Sequence, residues 1–138
     1  MATPKVPNPA LPRPLTGNAL GAAGETRAAE HLTADGYRVL ARNARVGGVE
    51  VDLVVARGPL LVFVEVKTRR SRRAGLPEES VDARKQERLR RAALAWLHDP
   101  ERPAPRGARV RFDVIACEVD GAGQWSVRHL RAAFDGSA

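Results

Sequence analysis

Two periods of apolar residues alternate along the chain. Over residues 19–35 an Ala-rich stretch places Leu20, Ala28 and Leu32 on one stripe of a helix, and Gly36 supplies the stop signal. Tyr37 to Arg42 then reads as a strand, followed by a loop from Asn43 to Gly48. The period shortens to two over residues 49–56, where Val49, Val51, Leu53 and Val55 face one way and Glu50, Asp52 and Val54 the other. Arg57-Gly58 marks a hairpin turn, and residues 60–68 form a nearly all-apolar strand of the buried type. Glu65 and Lys67 are set into that strand on the face of Leu61 and Phe63. A second helix, over residues 82–97, carries Leu89, Ala92, Ala93 and Trp96 as its apolar stripe. After a Pro-rich connection come a strand over residues 110–119, a turn at Asp120-Gly121, a short strand at 125–128 and a helical turn over 130–134.

This order, α-β-β-β-α-β-β, predicts an α/β fold: one mixed β-sheet flanked by helices. A chain of 138 residues suffices for a single core. Residues 1–18 hold five prolines and no apolar period, which predicts a disordered tail ahead of one domain over residues 19–138. No apolar run reaches the roughly 18 to 20 residues of a membrane span, and the start has no signal-peptide h-region, so the expected location is cytoplasmic with no membrane partner. The one cysteine, Cys117, falls in a strand and reads as a small buried residue.

Charge narrows the partner. Twenty-three basic against sixteen acidic side chains leave a net charge of +7, which favours a polyanion, with nucleic acid as the leading candidate. Only three of the basic residues are lysines, Lys5, Lys67 and Lys85. Lys is a compact point charge that fits beside a metal or a phosphate, so Lys67 and Lys85 draw attention.

The candidate chemistry lies on the central hairpin. With a two-residue turn Glu50 faces Glu65; with a four-residue loop Asp52 faces Glu65 and Glu50 faces Lys67. Both registers put Glu50, Asp52, Glu65 and Lys67 on one face, whereas a three-residue loop would separate them. Three carboxylates on a partly buried face repel one another, and Lys67 offsets one charge. A divalent ion would offset the rest, and with His31, His98 and His129 isolated the ligand types favour Mg²⁺ or Mn²⁺ over zinc. The alternative is a solvated strand face with cross-strand ion pairs. Glu25, on the apolar stripe of the first helix, points either toward the sheet or along the border of the stripe.

The D-x₁₂-E-x-K spacing of Asp52, Glu65 and Lys67 resembles the PD-(D/E)XK signature of restriction-endonuclease-like nucleases. Five ordered segments, Gly21 to Ala28, Val49 to Leu53, Val62 to Thr68, Val81 to Gln86 and Arg111 to Val114, more closely resemble the bacterial YraN-like family, over residues 21–134. That family is similar in organisation to archaeal Holliday-junction resolvases. The resemblance implies a restriction-endonuclease-like core and a Mg²⁺-dependent endonuclease that hydrolyses phosphodiesters of DNA, with branched DNA as a candidate substrate. It implies metal ligation by Asp52 and Glu65 with the Val66 carbonyl, Glu25 as an outer or second-metal carboxylate and Glu50 as a further ligand or bulge partner. Lys67 would orient or deprotonate the attacking water.

Arg69, Arg70, Arg72 and Arg73 form an Arg-rich loop that either grips phosphates or is merely solvated. Lys85 and Gln86 could touch a phosphate or serve helix packing. Few aromatic residues are present, so backbone and shape recognition is favoured over base reading. The competing class is a non-catalytic nucleic-acid-binding or partner-binding module on the same fold. Both a monomer and a homodimer are compatible with the sequence.

Overall fold

A computed structural model of the chain describes residues 17–70 and 81–134. The expected tail lies outside the described residues, apart from Gly17 and Asn18, which open the first helix. The elements are α1 (Gly17–Ala34), β1 (Arg38–Val46), β2 (Val49–Arg57), β3 (Leu60–Arg70), α2 (Ala83–His98), β4 (Arg109–Val119) and β5 (Trp125–Phe134). The five strands form one mixed sheet in the order β1-β2-β3-β4-β5, so the fold is α/β as expected. β3 and β4 pair in parallel across the α2 connection, and the other neighbours are antiparallel. Among the described residues no helix is long and apolar enough to cross a membrane.

Each helix covers one face. Ala28, Ala29 and Leu32 of α1 pack with Leu53, Val55, Val62, Val64, Ile115 and Cys117. Leu89, Ala92, Ala93 and Trp96 of α2 pack with Val51, Val54, Leu61, Phe63, Phe112 and Val114. β3 therefore contributes alternate residues to both cores, which is why its sequence is apolar on both faces rather than alternating. The helix boundaries follow local chemistry. Gly36, at φ +88°, ends α1 with the paired bonds of a Schellman turn: Gly36 N–H donates to Thr33 O and Tyr37 N–H to Leu32 O. Asp82 caps α2 by accepting the Lys85 N–H at 2.8 Å.

Four local expectations are corrected. β1 continues through the expected loop to Val46, because Ala41, Arg42, Ala44, Arg45 and Val46 find partners on β2, and Gly47-Gly48 alone make the turn. Residues 130–134 continue β5 instead of forming a helical turn; Leu130 and Phe134 are four apart, a spacing that fits either period. The β2–β3 turn is Gly58-Pro59 with Arg57 opposite Leu60, one step later than expected. The strict alternation of β2 also fails, since Val49 and Val51 join the α2-side core while Leu53 and Val55 join the α1 side. The strand changes face at Asp52.

Candidate active site

The change of face at Asp52 coincides with the end of a ladder. β2 and β3 pair from Arg57↔Leu60 to Leu53↔Val64, a register that would next bring Asp52 opposite Glu65. There the strands part, and the Val66 N–H donates to Asp52 Oδ2 at 2.8 Å instead of to a strand carbonyl. β3 remains paired to β4 on its other side, with Glu65 beside Val114 and Lys67 beside Ala116. Beyond the ladder β2 stays paired with β1 and β3 with β4, and the half-buried Asp52 carboxylate bridges the two strands where they part.

Glu65 is buried, and its Oε1 meets Lys85 Nζ at 2.9 Å. Lys85 stands on the first turn of α2, so this ion pair joins that helix to β3. Burial raises the Asp52 carboxyl to about 6; the negative charge of Glu65 adds to the shift, the Val66 N–H opposes it, Glu25 adds again and Lys85 opposes. Charges from both faces of the sheet therefore act on Asp52: Glu25 from α1 and Lys85 from α2. For Lys85 itself burial lowers the pKa, but its bond to Glu65 and the charges of Glu65 and Asp52 prevail and raise it. The ammonium is charged at neutral pH.

The position of Glu25 depends on its neighbour Gly24. A Cβ at Gly24 would collide with the Thr68 side chain of β3, so the absence of a side chain lets α1 settle on the sheet there. Glu25, the next residue, is half-buried. Lys67, two residues beyond Glu65, lies half-buried on the same side of β3 by alternation. Glu50 is exposed and registers with Arg45. Among the described residues no group of three or more His, Cys, Asp or Glu side chains is placed to hold one metal ion.

The expected Arg-rich loop divides. Arg69 and Arg70 belong to β3, in register with Glu118 and Val119, while Arg72 and Arg73 lie outside the described residues. The Gln86 amide is spent on the start of α2: Nε2 donates to Val81 O at 2.7 Å and Oε1 accepts from Arg90. Both ends of the amide are thus engaged at the start of α2. Cys117 is buried, and burial pushes its thiol up to about 11, against the opposing charge of Arg27, so it is no nucleophile.

A second polar cluster has little trace in the sequence. Asp113 is buried and accepts from Arg111 Nε at 2.8 Å and Nη2 at 2.7 Å, and from the Ala132 N–H at 3.0 Å. His129 Nε2 lies 2.7 Å from the same carboxylate, and Arg111 also donates to the Tyr37 hydroxyl. Burial pushes the Asp113 carboxyl up, but its bonds from His129, Arg111 and Ala132 outweigh this and hold it below the ordinary value. His31 and His129, isolated in sequence, meet edge to face with centroids 5.4 Å apart. The signal available in sequence is Asp113 itself, a carboxylate inside an apolar strand.

The model of uncharacterised protein family UPF0102 matches residues 24–117. Curated relatives align over most of their own length. A UPF0102 protein of Symbiobacterium thermophilum is 48% identical over 115 residues, covering 83% of this chain and 95% of that protein. One from Rhodococcus opacus is 47% identical, covering 84% of this chain and 96% of that protein. One from Chlorobaculum parvum is 45% identical, covering 83% and 91% respectively.

Proposed function

The chain belongs to the uncharacterised protein family UPF0102, and from the geometry of its site we propose that it is a metal-dependent nuclease that hydrolyses the DNA backbone, with branched DNA as its substrate class. The observation that carries the reading is the Asp52–Glu65 pair at the parted end of the β2–β3 ladder. A carboxyl raised to about 6, first by burial and then by a neighbouring carboxylate, is one whose ionised form is poorly stabilised where it stands. Such charge is costly for stability and useful for binding a cation. The Asp52, Glu65, Lys67 spacing, which resembles the PD-(D/E)XK signature, supports the same chemistry.

The donor set fits Mg²⁺ or Mn²⁺. Hard oxygen ligands suit these ions, and Mg²⁺ is commonly held by one or two carboxylates while water and substrate phosphate complete its shell. Asp52 and Glu65 would hold it, with Glu25 as an outer carboxylate. The Val66 carbonyl is a further donor, because the N–H and C=O of one strand residue point to the same edge and its N–H already points into the gap. The bound ion would polarise the scissile phosphate.

The remaining roles belong to the protein. Val66 fixes the Asp52 carboxylate through its N–H. Lys67, carried on a strand paired to β4, orients water and offsets charge that develops at the phosphate. Arg69 and Arg70 continue the same strand and provide phosphate-binding charge just beyond the site, and Arg72 and Arg73 follow them in the sequence.

The second reading, a non-catalytic nucleic-acid-binding or partner-binding module, draws support from Lys85, which already pairs with Glu65, and from the lack of a three-ligand group among the described residues. A cleavage panel of branched, nicked and single-stranded DNA and RNA, with Mg²⁺ or Mn²⁺ and an Asp52→Ala control, separates the two. Metal-dependent cleavage of branched DNA by the wild type alone supports the nuclease; binding without cleavage across the panel supports the module.

A further inference from the structure

Lys85 has a fixed base and a free reach. Asp82 accepts its backbone N–H, Gln86 clasps the Val81 carbonyl, and Val81 is buried, so the first turn of α2 is held at three points. The side chain leaves that turn and places Nζ 2.9 Å from Glu65 Oε1 while 46% exposed, against 11% for the Glu65 side chain. A nearly buried carboxylate is thus neutralised by a cation that can withdraw to solvent without moving the backbone. The same Glu65 is one of the two carboxylates proposed above to hold the metal. An ammonium and a divalent ion cannot both take the remaining charge of one carboxylate without repelling each other.

We propose that Lys85 is a resident counter-cation that competes with the metal for Glu65, and that metal binding releases its ammonium to a substrate phosphate. This rests on the nuclease reading and adds a regulatory relation to it: without metal Lys85 stays inward, and metal and DNA favour each other because both favour the outward lysine. The coupling is reciprocal by linkage, so DNA raises metal affinity by the factor by which metal raises DNA affinity. Lys85 thus acts on the metal through Glu65 and, once released, contacts the substrate phosphate itself.

The test is titration calorimetry of Mn²⁺ alone into the full-length protein. Removing the half-exposed ammonium that competes for Glu65 should tighten Mn²⁺ binding in Lys85→Met by roughly fivefold. The control is Arg84→Gln, which removes an exposed positive charge one residue away and should change affinity by less than about twofold in physiological salt. In a second arm, Mn²⁺ should increase affinity for a phosphorothioate-substituted branched DNA more in wild type than in Lys85→Met. Unchanged or weaker Mn²⁺ binding by Lys85→Met, while wild type binds Mn²⁺, overturns the competition and leaves the nuclease reading standing. An equal gain in Arg84→Gln also overturns it, since a general field effect would then suffice. Failure of every form to bind Mn²⁺ overturns the inference together with the metal site.

Discussion

Replacing Asp52 by Asn should stabilise the metal-free protein at neutral pH and leave its stability nearly unchanged in acid. In the folded protein the Asp52 carboxyl stands at about 6 instead of its ordinary 3.8, with burial and the charge of Glu65 as the chief causes. The folded state therefore binds this proton more tightly than the unfolded state. Stability falls as pH rises from about 4 to about 6, and the penalty is complete above that window. A shift of about two units corresponds to about 3 kcal/mol. Asn keeps an oxygen to accept the Val66 N–H and carries no charge to desolvate. Urea denaturation in EDTA across pH 4 to 8 should show the Asn variant gaining on wild type as pH rises, toward an upper bound of about 3 kcal/mol. A variant no more stable than wild type at pH 8, or a difference that does not vary with pH, would refute the electrostatic account of the site.

Three further outcomes rest on packing and charge. Gly24→Ala should destabilise by about 1 to 3 kcal/mol in urea, because its methyl group meets the Thr68 side chain; a loss below about 0.5 kcal/mol would show that α1 does not approach β3 closely there. Asp113→Ala should cost about 3 kcal/mol or more by the same measurement, since it leaves Arg111 and the buried His129 without their shared carboxylate. Replacing Arg69, Arg70, Arg72 and Arg73 together by Gln should flatten the salt dependence of duplex DNA binding by about 0.9 log units per log salt for each phosphate no longer neutralised; an unchanged slope removes these residues from the interface.

Much of the fold was legible because apolar periods carry it. The Leu89, Ala92, Ala93, Trp96 stripe is the buried face of α2, and the continuous apolar run of β3 is the central strand. Glu65 and Lys67 could be placed on a face from parity alone. The irregularity at Asp52 could not, because it arises where β2 stops pairing with β3 and a side chain takes over a backbone N–H. The ion pair of Lys85 with Glu65 joins residues twenty positions apart through the docking of α2, and Asp113 reaches His129 directly and Tyr37 through Arg111, across elements distant in sequence. Such meetings depend on tertiary packing. The length of β5 is hidden for a local reason: the apolar spacing of Leu130 and Phe134 satisfies helix and strand alike, and the register shift near Ala132 obscures the strand further.

If the Asp52–Glu65 gap with Lys67 performs hydrolysis rather than binding alone, loss of the Lys67 ammonium must slow cleavage while sparing DNA affinity. Single-turnover cleavage of a branched DNA in Mg²⁺, measured beside DNA affinity for wild type and Lys67→Ala, tests it most directly. Wild type should cleave, Lys67→Ala should lose roughly a hundredfold or more in rate, corresponding to about 3 kcal/mol of transition-state stabilisation, and its DNA affinity should stay within a few-fold of wild type. Equal cleavage rates for the two proteins, or no cleavage by wild type on a substrate it binds, would contradict it.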